Sequence, residues 1–134
     1  MFTFDHMDEK LVRAVIETIP AEITVIDAND EVVAWNRHEN RLFHRPMTSM
    51  GLNFRKCHPE HSLAKVEQIV AEMKAGTRQE ARFWIQAKVG AERHLVLIEF
   101  FALRDEGGTY LGCMEVTQDI EAHRSLEGEK RLLS

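Results

Sequence analysis

The sequence predicts an α+β domain built on a five-stranded antiparallel sheet with helices on one face. Two short β-branched runs come first, three longer apolar runs come last, and the clearest helical pattern of the chain lies between them. Short turns connect the runs within each group, so all of the pairing can be antiparallel while the middle helices cover one face. Flanking helices are predicted at both ends of the chain.

Composition and charge exclude several classes of function. The chain has 134 residues, which suits one domain with one core, and its 44% hydrophobic and 29% charged residues are ordinary for a soluble protein. With 17 basic and 22 acidic residues and no long basic run, no nucleic-acid partner is expected. The sequence has no stretch for a membrane span, no secretory apolar region near its start and too few cysteines for a disulfide framework. We therefore expect a cytoplasmic protein with reduced thiols and no membrane partner.

The first predicted helix covers residues 8–19. Its apolar residues recur at helical spacing, and Pro20 ends it. The apolar stripe consists of Leu11, Val12, Val15, Ile16 and Ile19. Such a stripe can pack on its own domain or on a second copy of the chain, and a homodimer is the expected assembly.

A hairpin is predicted after the first helix. Residues 23–27 and 32–35 are β-branched runs, and the Ala-Asn-Asp-Glu segment between them has the composition of a turn. Asn36 follows directly, and its amide can bond backbone groups at a strand-to-helix junction. Residues 41–44 are predicted to form a short helical turn, and residues 47–56 a loop.

The strongest helical pattern covers residues 59–75. Proline at position 59 suits the first turn of a helix, Gly76 suits its end, and apolar residues recur every three or four positions between them. His58 is then predicted at or beside the N-cap, on a fixed backbone but with a free side chain. An imidazole in that place can ligate a metal, or it can simply cap the helix.

Three strands and a charged helix are predicted in the last part of the chain. The strands cover residues 80–89, 93–103 and 109–118, with an Asp-Glu-Gly-Gly turn between the last two. Residues 119–133 are predicted to be an exposed connector helix, because their apolar residues are too sparse for a core. The predicted organisation is a flanking helix in residues 1–20, a core domain in residues 21–118 and a connector in residues 119–134.

Alternation along the last two strands predicts an apolar cavity wall. In the first of these strands Glu99 is assigned to solvent, and the residues predicted to face the helices are His94, Val96, Ile98 and Phe100. In the last strand Glu115 and Thr117 are assigned to solvent, and the residues predicted to face inward are Gly112, Met114 and Val116. Phe83 and Ile85 complete this wall, in which Gly112 would leave room for a flat ligand.

Two short motifs bracket the predicted sheet. The first is Val25-Ile26-Asp27 followed by Val32-Val33-Ala34-Trp35-Asn36, and the second is Val116-Thr117-Gln118-Asp119-Ile120. In their order and spacing they resemble the Asp-turn-strand-Asn hairpin and the Asp-Ile-Thr-like end of the PAS domain family. The resemblance covers roughly residues 10–122 and implies a PAS fold and a sensory or signalling role. An enzyme is not expected, because the sequence has no serine in a nucleophile elbow and no phosphate-binding glycine loop.

The segment Gly51-Leu52-Asn53-Phe54-Arg55 is similar to the Gly-x-Asn-Cys-Arg motif of the flavin-binding photosensor branch of that family. Phe54 stands where that branch has its reactive cysteine. A phenyl ring cannot form the flavin–cysteinyl adduct, because the adduct needs a thiol nucleophile. The photochemistry of that branch is therefore not expected here.

The segment Cys57-His58-Pro59-Glu60-His61-Ser62 resembles the Leu-His-Pro-Glu-Lys-Ser run of CO-sensing heme-PAS regulators. Similar His-Pro segments occur in PAS modules attached to hemerythrin-like domains. The resemblance implies that His58 is an axial ligand of heme b. The methionine ligand of those regulators aligns near Val96, which cannot bind iron, so the sixth ligand would be Met114 or His94, or the site would be open.

The leading hypothesis is a sensor that detects a diatomic gas or redox state through heme b and passes the signal to the terminal helix. Its cofactor-binding residues would be His58, Met114, His94, Val96, Ile98, Phe83 and Arg55, with Arg55 and Arg93 available to the propionates. Two alternatives stay open: a cofactor-free module that dimerises or docks a partner, and a domain that binds a small organic ligand in the same cavity. A zinc site is not expected, because the Cys-His-x-x-His spacing matches no common structural site.

Overall fold

The computed structural model describes residues 3–133 and contains two α-helices and one five-stranded sheet. The helices are α1 (Glu9–Thr18) and α2 (Glu60–Ala75), and the strands are β1 (Glu22–Asp27), β2 (Val32–Trp35), β3 (Glu80–Val89), β4 (Glu92–Arg104) and β5 (Tyr110–Asp119). Short 3₁₀ turns lie at Met47–Ser49, Phe54–Lys56 and Glu121–Ser125. The predicted flanking segments extend to residues 1, 2 and 134, which lie outside the described residues.

All neighbouring strands of the sheet are antiparallel, and their order is β2-β1-β5-β4-β3. The first and the last strand in the sequence are therefore paired at the centre, where Thr24 lies opposite Glu115 and Ile26 opposite Cys113. The arrangement confirms the predicted α+β class and the five-stranded antiparallel sheet. None of the helices in the described part of the chain combines the length and the hydropathy that a bilayer crossing needs.

Helix α2 forms because its apolar residues recur on one face, and this face covers the sheet. Val66, Val70 and Met73 are buried at this spacing, and Met73 and Val70 are almost fully enclosed. The helix ends at Gly76, whose left-handed backbone (φ 81°) lets its N–H bond the last carbonyls. At the start, Pro59 is the N-cap and supplies no side-chain hydrogen bond, so His58 lies beside the cap but does not act as one.

Helix α1 has a good N-terminal cap but buries none of its residues. The Asp8 carboxylate accepts a hydrogen bond from the Leu11 N–H at 2.8 Å. The apolar stripe of this helix is 37–52% exposed at Leu11, Val12, Val15 and Ile16. The predicted helix is confirmed, and within residues 3–133 its apolar stripe is not covered by the rest of the domain.

Two predicted helical segments do not form. Residues 41–44 have no helical structure, because their backbone and side chains instead bond the neighbouring strand β1. At the other end, β5 continues to Asp119, and within the described residues up to 133 only the 3₁₀ turn Glu121–Ser125 follows. The predicted helix over residues 119–133 is therefore wrong. Its sparse apolar residues give no face to bury, as at Leu126, which is 73% exposed, and an isolated helix of that length is only marginally stable in water.

Candidate functional site

A cavity of about 40 Å³ lies between the sheet and α2. Its apolar walls come from Ile26, Val32, Phe54, Val66, Val70 and Phe100. Its polar lining comes from Thr24, Arg45, Cys57, His58, Cys113 and Glu115. Strands β1 and β5 form the floor, α2 forms the roof, and the segment from Phe54 to His58 closes one side. This volume has room for one to a few water molecules, since each needs about 10–15 Å³.

The face assignment of β4 is confirmed, but that of β5 is wrong. Val96, Ile98 and Phe100 are buried on the helix side of the sheet, as predicted. Because Glu115 pairs with Phe100 in the register, and Met114 with Phe101, Glu115 lies on the cavity face and Met114 on the opposite one. The prediction failed because it took the charge of Glu115 as a sign of solvent contact.

The prediction that Gly112 leaves room for a flat ligand is wrong. A Cβ atom at this position would lie 2.1 Å from the backbone oxygen of Ile26 and 3.2 Å from the Cα of Asp27. The space left by the missing side chain is thus taken by the neighbouring strand β1. Glycine is required here for the close approach of the two central strands.

An ion pair stands at the polar end of the cavity. Arg45 Nη2 donates to Glu115 Oε1 at 3.0 Å, and Arg45 Nε donates to Thr24 Oγ1 at 3.2 Å. The two charged side chains are only 16% and 15% exposed. The sequence gives no signal for the role of either residue, because Arg45 lies in an aperiodic loop 70 residues before its partner.

A second ion pair lies behind the first one. Arg41, whose side chain is 2% exposed, lies 3.6 Å from Glu22 and also donates to Thr24 Oγ1 at 3.1 Å. The Glu22 carboxylate accepts hydrogen bonds from the backbone N–H groups of Leu42 and Phe43. Thr24 therefore joins the two arginines, and two positive and two negative side chains balance each other under the sheet.

Burial perturbs the titration of the groups that line the cavity. Burial raises the pKa of the Glu115 carboxyl, and the charges of Arg45 and Arg41 offset this only in part. Burial also lowers the pKa of His58, and the positive charge of Arg45 and the neighbouring His61 lower it further. His58 is consequently neutral near pH 7, so its ring has one donor and one acceptor nitrogen.

We expect Arg45→Met to lower the free energy of unfolding by about 2 kcal/mol, between the values typical of exposed and of fully buried ion pairs. The change leaves the carboxylate of Glu115 enclosed without its partner. Denaturant unfolding followed by circular dichroism measures the loss, with the exposed Arg93→Met as the matched control. The double variant Arg45→Met/Glu115→Leu is expected to regain part of the stability, and equal losses in the single and the double variant would contradict the coupling.

Arg55, a predicted cofactor contact, lies outside the cavity. Its guanidinium donates to Asp30 Oδ2 and to Glu67 Oε1, each at 3.0 Å, and it stacks over the ring of Phe54. Asp30 is buried and also pairs with Lys74 at 2.8 Å. These contacts tie the turn that carries Phe54 to α2, so Arg55 holds one cavity wall in place.

Phe83 and His94 do not line the cavity either. Phe83 is 38% exposed and stacks on Phe100, with ring centroids 6.0 Å apart. His94 lies at the start of β4, where its Nδ1 is 2.6 Å from Asp119 Oδ2 at the end of β5. Of the predicted cofactor-binding residues, the structure therefore brings only His58 to the cavity surface, while Val96 and Ile98 are packed in the core.

The His94–Asp119 pair predicts a pH-dependent contribution to stability. Its hydrogen bond raises the pKa of His94 and lowers that of Asp119. The contribution is complete below the unfolded His pKa of about 6.5 and is lost as pH rises through the raised folded value. On the acid side it is complete above the unfolded Asp pKa of about 3.9 and is lost as pH falls through the lowered value.

We therefore expect His94→Ala to destabilise the protein more at about pH 5.5 than at about pH 8.5, because the contribution of the pair decreases as the pH rises through the raised pKa of His94. The measurement is the difference in the free energy of unfolding between wild type and variant at the two pH values. His6→Ala, which removes an imidazole at an exposed position outside this pair, is the matched control. A His94→Ala difference that is the same at both values would contradict the assigned pair.

A family model described as a PAS domain matches residues 12–121. The chain belongs to the PAS domain family. A search of curated proteins finds no match. Among the residues that the structure describes, no three or more His, Cys, Asp or Glu side chains are grouped so that they could hold a metal ion.

Solved structures share this PAS fold. A C-terminal domain from Streptococcus mutans is 25% identical, with a TM-score of 0.81 over 90% of this chain and 91% of that chain. The PAS domain of BvgS from Bordetella pertussis is 15% identical, with a TM-score of 0.61 over 83% of this chain and 85% of that chain. VqmA from Vibrio cholerae, described in a complex with ligand and DNA, is 14% identical, with a TM-score of 0.61 over 96% of this chain and 63% of that chain.

Proposed function

We propose that this PAS domain is a sensory module that binds a small organic molecule in the cavity between the sheet and α2. The observation that carries the proposal is the polar end of an otherwise apolar cavity, where Arg45, Glu115 and His58 meet. Ligand sites in proteins combine apolar walls with a few polar groups that fix orientation. VqmA, which shares the fold, is described bound to the ligand DPO.

The side chain of His58 supports a binding role over a structural one. Among residues 3–133, no hydrogen bond to either of its ring nitrogens is recorded, although the residue is half-buried. A neutral imidazole with both nitrogens unused offers a ligand one donor and one acceptor. The start of α2 beside it lacks a side-chain cap, and we place the movement that admits a molecule at this wall.

The proposed signal leaves the cavity along β5. Glu115 contacts the cavity, and the same strand ends at Asp119, where the pair with His94 fixes the start of the following segment. A molecule that moves Glu115 would shift this strand and the segment after it. The element that responds is thus the end of β5 and the 3₁₀ turn, rather than the terminal helix expected from the sequence.

Heme b bound through His58 is the second candidate, and the neutral imidazole at the cavity surface favours it. The residues present do not fit it in this arrangement. The cavity of about 40 Å³ is smaller than the 150 Å³ or so that binds benzene, and a porphyrin is far larger. Met114 lies on the opposite face of the sheet, and His94 is paired with Asp119, so neither can complete the iron site.

A hemin titration separates the two candidates. We expect no stoichiometric Soret band that depends on His58. A band that saturates at one heme per chain in the wild type and is lost in His58→Ala, but retained in His61→Ala, would favour heme b instead. His61 is a suitable control because it lies on the same segment but does not line the cavity.

The small-molecule proposal is tested by mass spectrometry and by ligand screening. We expect a molecule released on denaturation, or a screened compound of any charge, to bind saturably and raise the melting temperature. The binding should be lost in Val66→Phe, which fills the cavity, and kept in Val15→Phe, on the exposed face of α1. Circular dichroism spectra must show that Val66→Phe is folded. If the wild type neither releases a bound molecule nor binds any screened compound, the proposal is contradicted.

We also propose that the module forms a homodimer through the exposed apolar stripe of α1. This stripe is uncovered within the described chain, and VqmA is described as a dimer. Sedimentation equilibrium should give twice the monomer mass, and Val15→Glu/Ile16→Glu should give the monomer mass. Lys10→Glu, an exposed change on the same helix, should leave the dimer intact. A monomeric wild type would contradict the proposal that the domain dimerises through α1.

A further inference from the structure

We propose that the ligand is an uncharged single-ring molecule with an N–H donor next to a carbonyl acceptor, as in a cyclic amide. This inference rests on the proposed small-molecule function of the cavity and names the chemistry that the cavity selects. Three properties of the polar end carry it: its charge balance, its unused hydrogen-bonding positions and its size.

The charge balance excludes ionic ligands. Arg45 with Glu115, and Arg41 with Glu22, form two pairs in which every side chain is at most 16% exposed. The four charges cancel, so an added carboxylate or ammonium would be enclosed without a counter-charge. Burying an unpaired charge is strongly unfavourable, and a neutral molecule avoids this cost.

The Arg45–Glu115 pair retains one donor and one acceptor. A guanidinium has five N–H donors, and here Nε bonds Thr24 and Nη2 bonds Glu115 Oε1. Within residues 3–133, no hydrogen bond to Arg45 Nη1 or to Glu115 Oε2 is recorded. Since both side chains line the cavity, a ligand carbonyl can accept from Arg45 while the adjacent ligand N–H donates to Glu115. The neutral ring of His58 can supply one further hydrogen bond.

The size and lining of the cavity limit the ligand to one ring. Phe54, Phe100 and the aliphatic walls can pack on a flat apolar edge, but the cavity holds only about 40 Å³. Even one ring exceeds this volume, so its binding requires an outward movement of the wall, and we place that movement at the start of α2 beside His58, which has no side-chain cap. A larger ligand would have to separate α2 from the core, where Val70 and Met73 are almost fully buried.

The test compares four ring compounds of similar size by titration in ¹H–¹⁵N spectra. The probes are 2-pyridone, its N-methyl derivative, benzoate and benzylamine. We expect 2-pyridone to shift the amide signals of His58, Cys113 and Glu115 saturably. The N-methyl derivative, which cannot donate, should bind about tenfold more weakly, and the two ions should not bind in this cavity.

Substitution of Glu115 tests the same inference from the side of the protein. Glu115→Gln leaves the charge of Arg45 unpaired, so benzoate should now bind and 2-pyridone should lose about tenfold in affinity. Glu99→Gln is the matched control, because Glu99 forms an ion pair with Arg82 at 3.0 Å on the other face of the sheet. If Glu115→Gln does not fold, the relative affinities of the wild type for the four ring compounds test the inference by themselves.

Each outcome distinguishes this inference from the proposed function. Failure of 2-pyridone to bind the wild type, or binding of benzoate or benzylamine as tight as that of 2-pyridone, overturns the inference. An unchanged preference in a folded Glu115→Gln overturns it as well. In these cases the proposed function stands if another compound binds and is excluded by Val66→Phe, and it falls only if the cavity takes no molecule at all.

Discussion

Replacing Gly112 with alanine is expected to lower the free energy of unfolding by about 4 kcal/mol, among the largest effects of a single substitution. The added Cβ would lie 2.1 Å from the backbone oxygen of Ile26, closer than any non-bonded contact allows. The atom that the Cβ would meet belongs to the backbone, and a Cβ is itself fixed by the backbone, so no side-chain rotation can relieve the overlap. The central pair of strands, β1 and β5, would have to separate locally. Urea unfolding followed by circular dichroism measures this loss.

Gly107→Ala is the matched control for this substitution. Gly107 lies in the exposed turn before β5, and its Cβ would approach only the carboxylate of Asp105, at an ordinary 3.4 Å. We expect a change of about 0.5 kcal/mol or less. If Gly112→Ala were as stable as Gly107→Ala, the close contact between β1 and β5 at this position would be wrong.

Asn36→Ala is expected to cost about 3 kcal/mol, because it leaves three backbone groups without their partners. The side chain of Asn36 is 1% exposed, and its Oδ1 accepts from the Ile23 N–H at 2.7 Å. Its Nδ2 donates to the carbonyls of Ile16 at 2.8 Å and Ala21 at 3.0 Å. The side-chain amide of Asn36 thus connects the end of β2 to α1, to β1 and to the segment that joins α1 to β1. Thermal and denaturant unfolding should both report the loss.

Asn40→Ala provides the control, because Asn40 is exposed and its side chain makes no recorded hydrogen bond within residues 3–133. Its expected effect is about 0.5 kcal/mol or less. Asn36→Asp offers a second check, since a carboxylate would repel the two carbonyls that now accept from Nδ2. Equal stabilities of Asn36→Ala and Asn40→Ala would refute the connecting role.

Local sequence patterns predicted most of the fold. Residues 59–75 and 80–89 were predicted to form a helix and a strand because helical spacing and strand alternation are properties of a segment itself. The role of Asn36 was anticipated in kind, as an amide that bonds backbone groups. Its partners, Ile16 and Ala21, were not, because they depend on how α1 returns to the sheet.

The candidate site was only partly predictable, since its main polar contact joins distant parts of the chain. The charge of Glu115 is typical of a solvent-facing residue, but Arg45, 70 residues earlier, lies beside it and forms an ion pair with it. The alternation of residues along a strand defines two faces but does not show which face is buried. Because Glu115 was assigned to solvent from its charge, Met114 was predicted to line the cavity, whereas the structure places Glu115 there. His58 was placed correctly because Pro59 and Gly76 fix the position of α2.

The most direct test of a ligand cavity in this PAS domain is a set of intermolecular nuclear Overhauser effects between the protein and its bound molecule. The molecule that copurifies with the protein, or 2-pyridone, serves as the ligand. We expect contacts to the side chains of Val66, Phe100 and His58, which surround the cavity. Contacts instead to Trp84, Leu111 or Met114, which lie away from the cavity lining, would contradict this account of the domain.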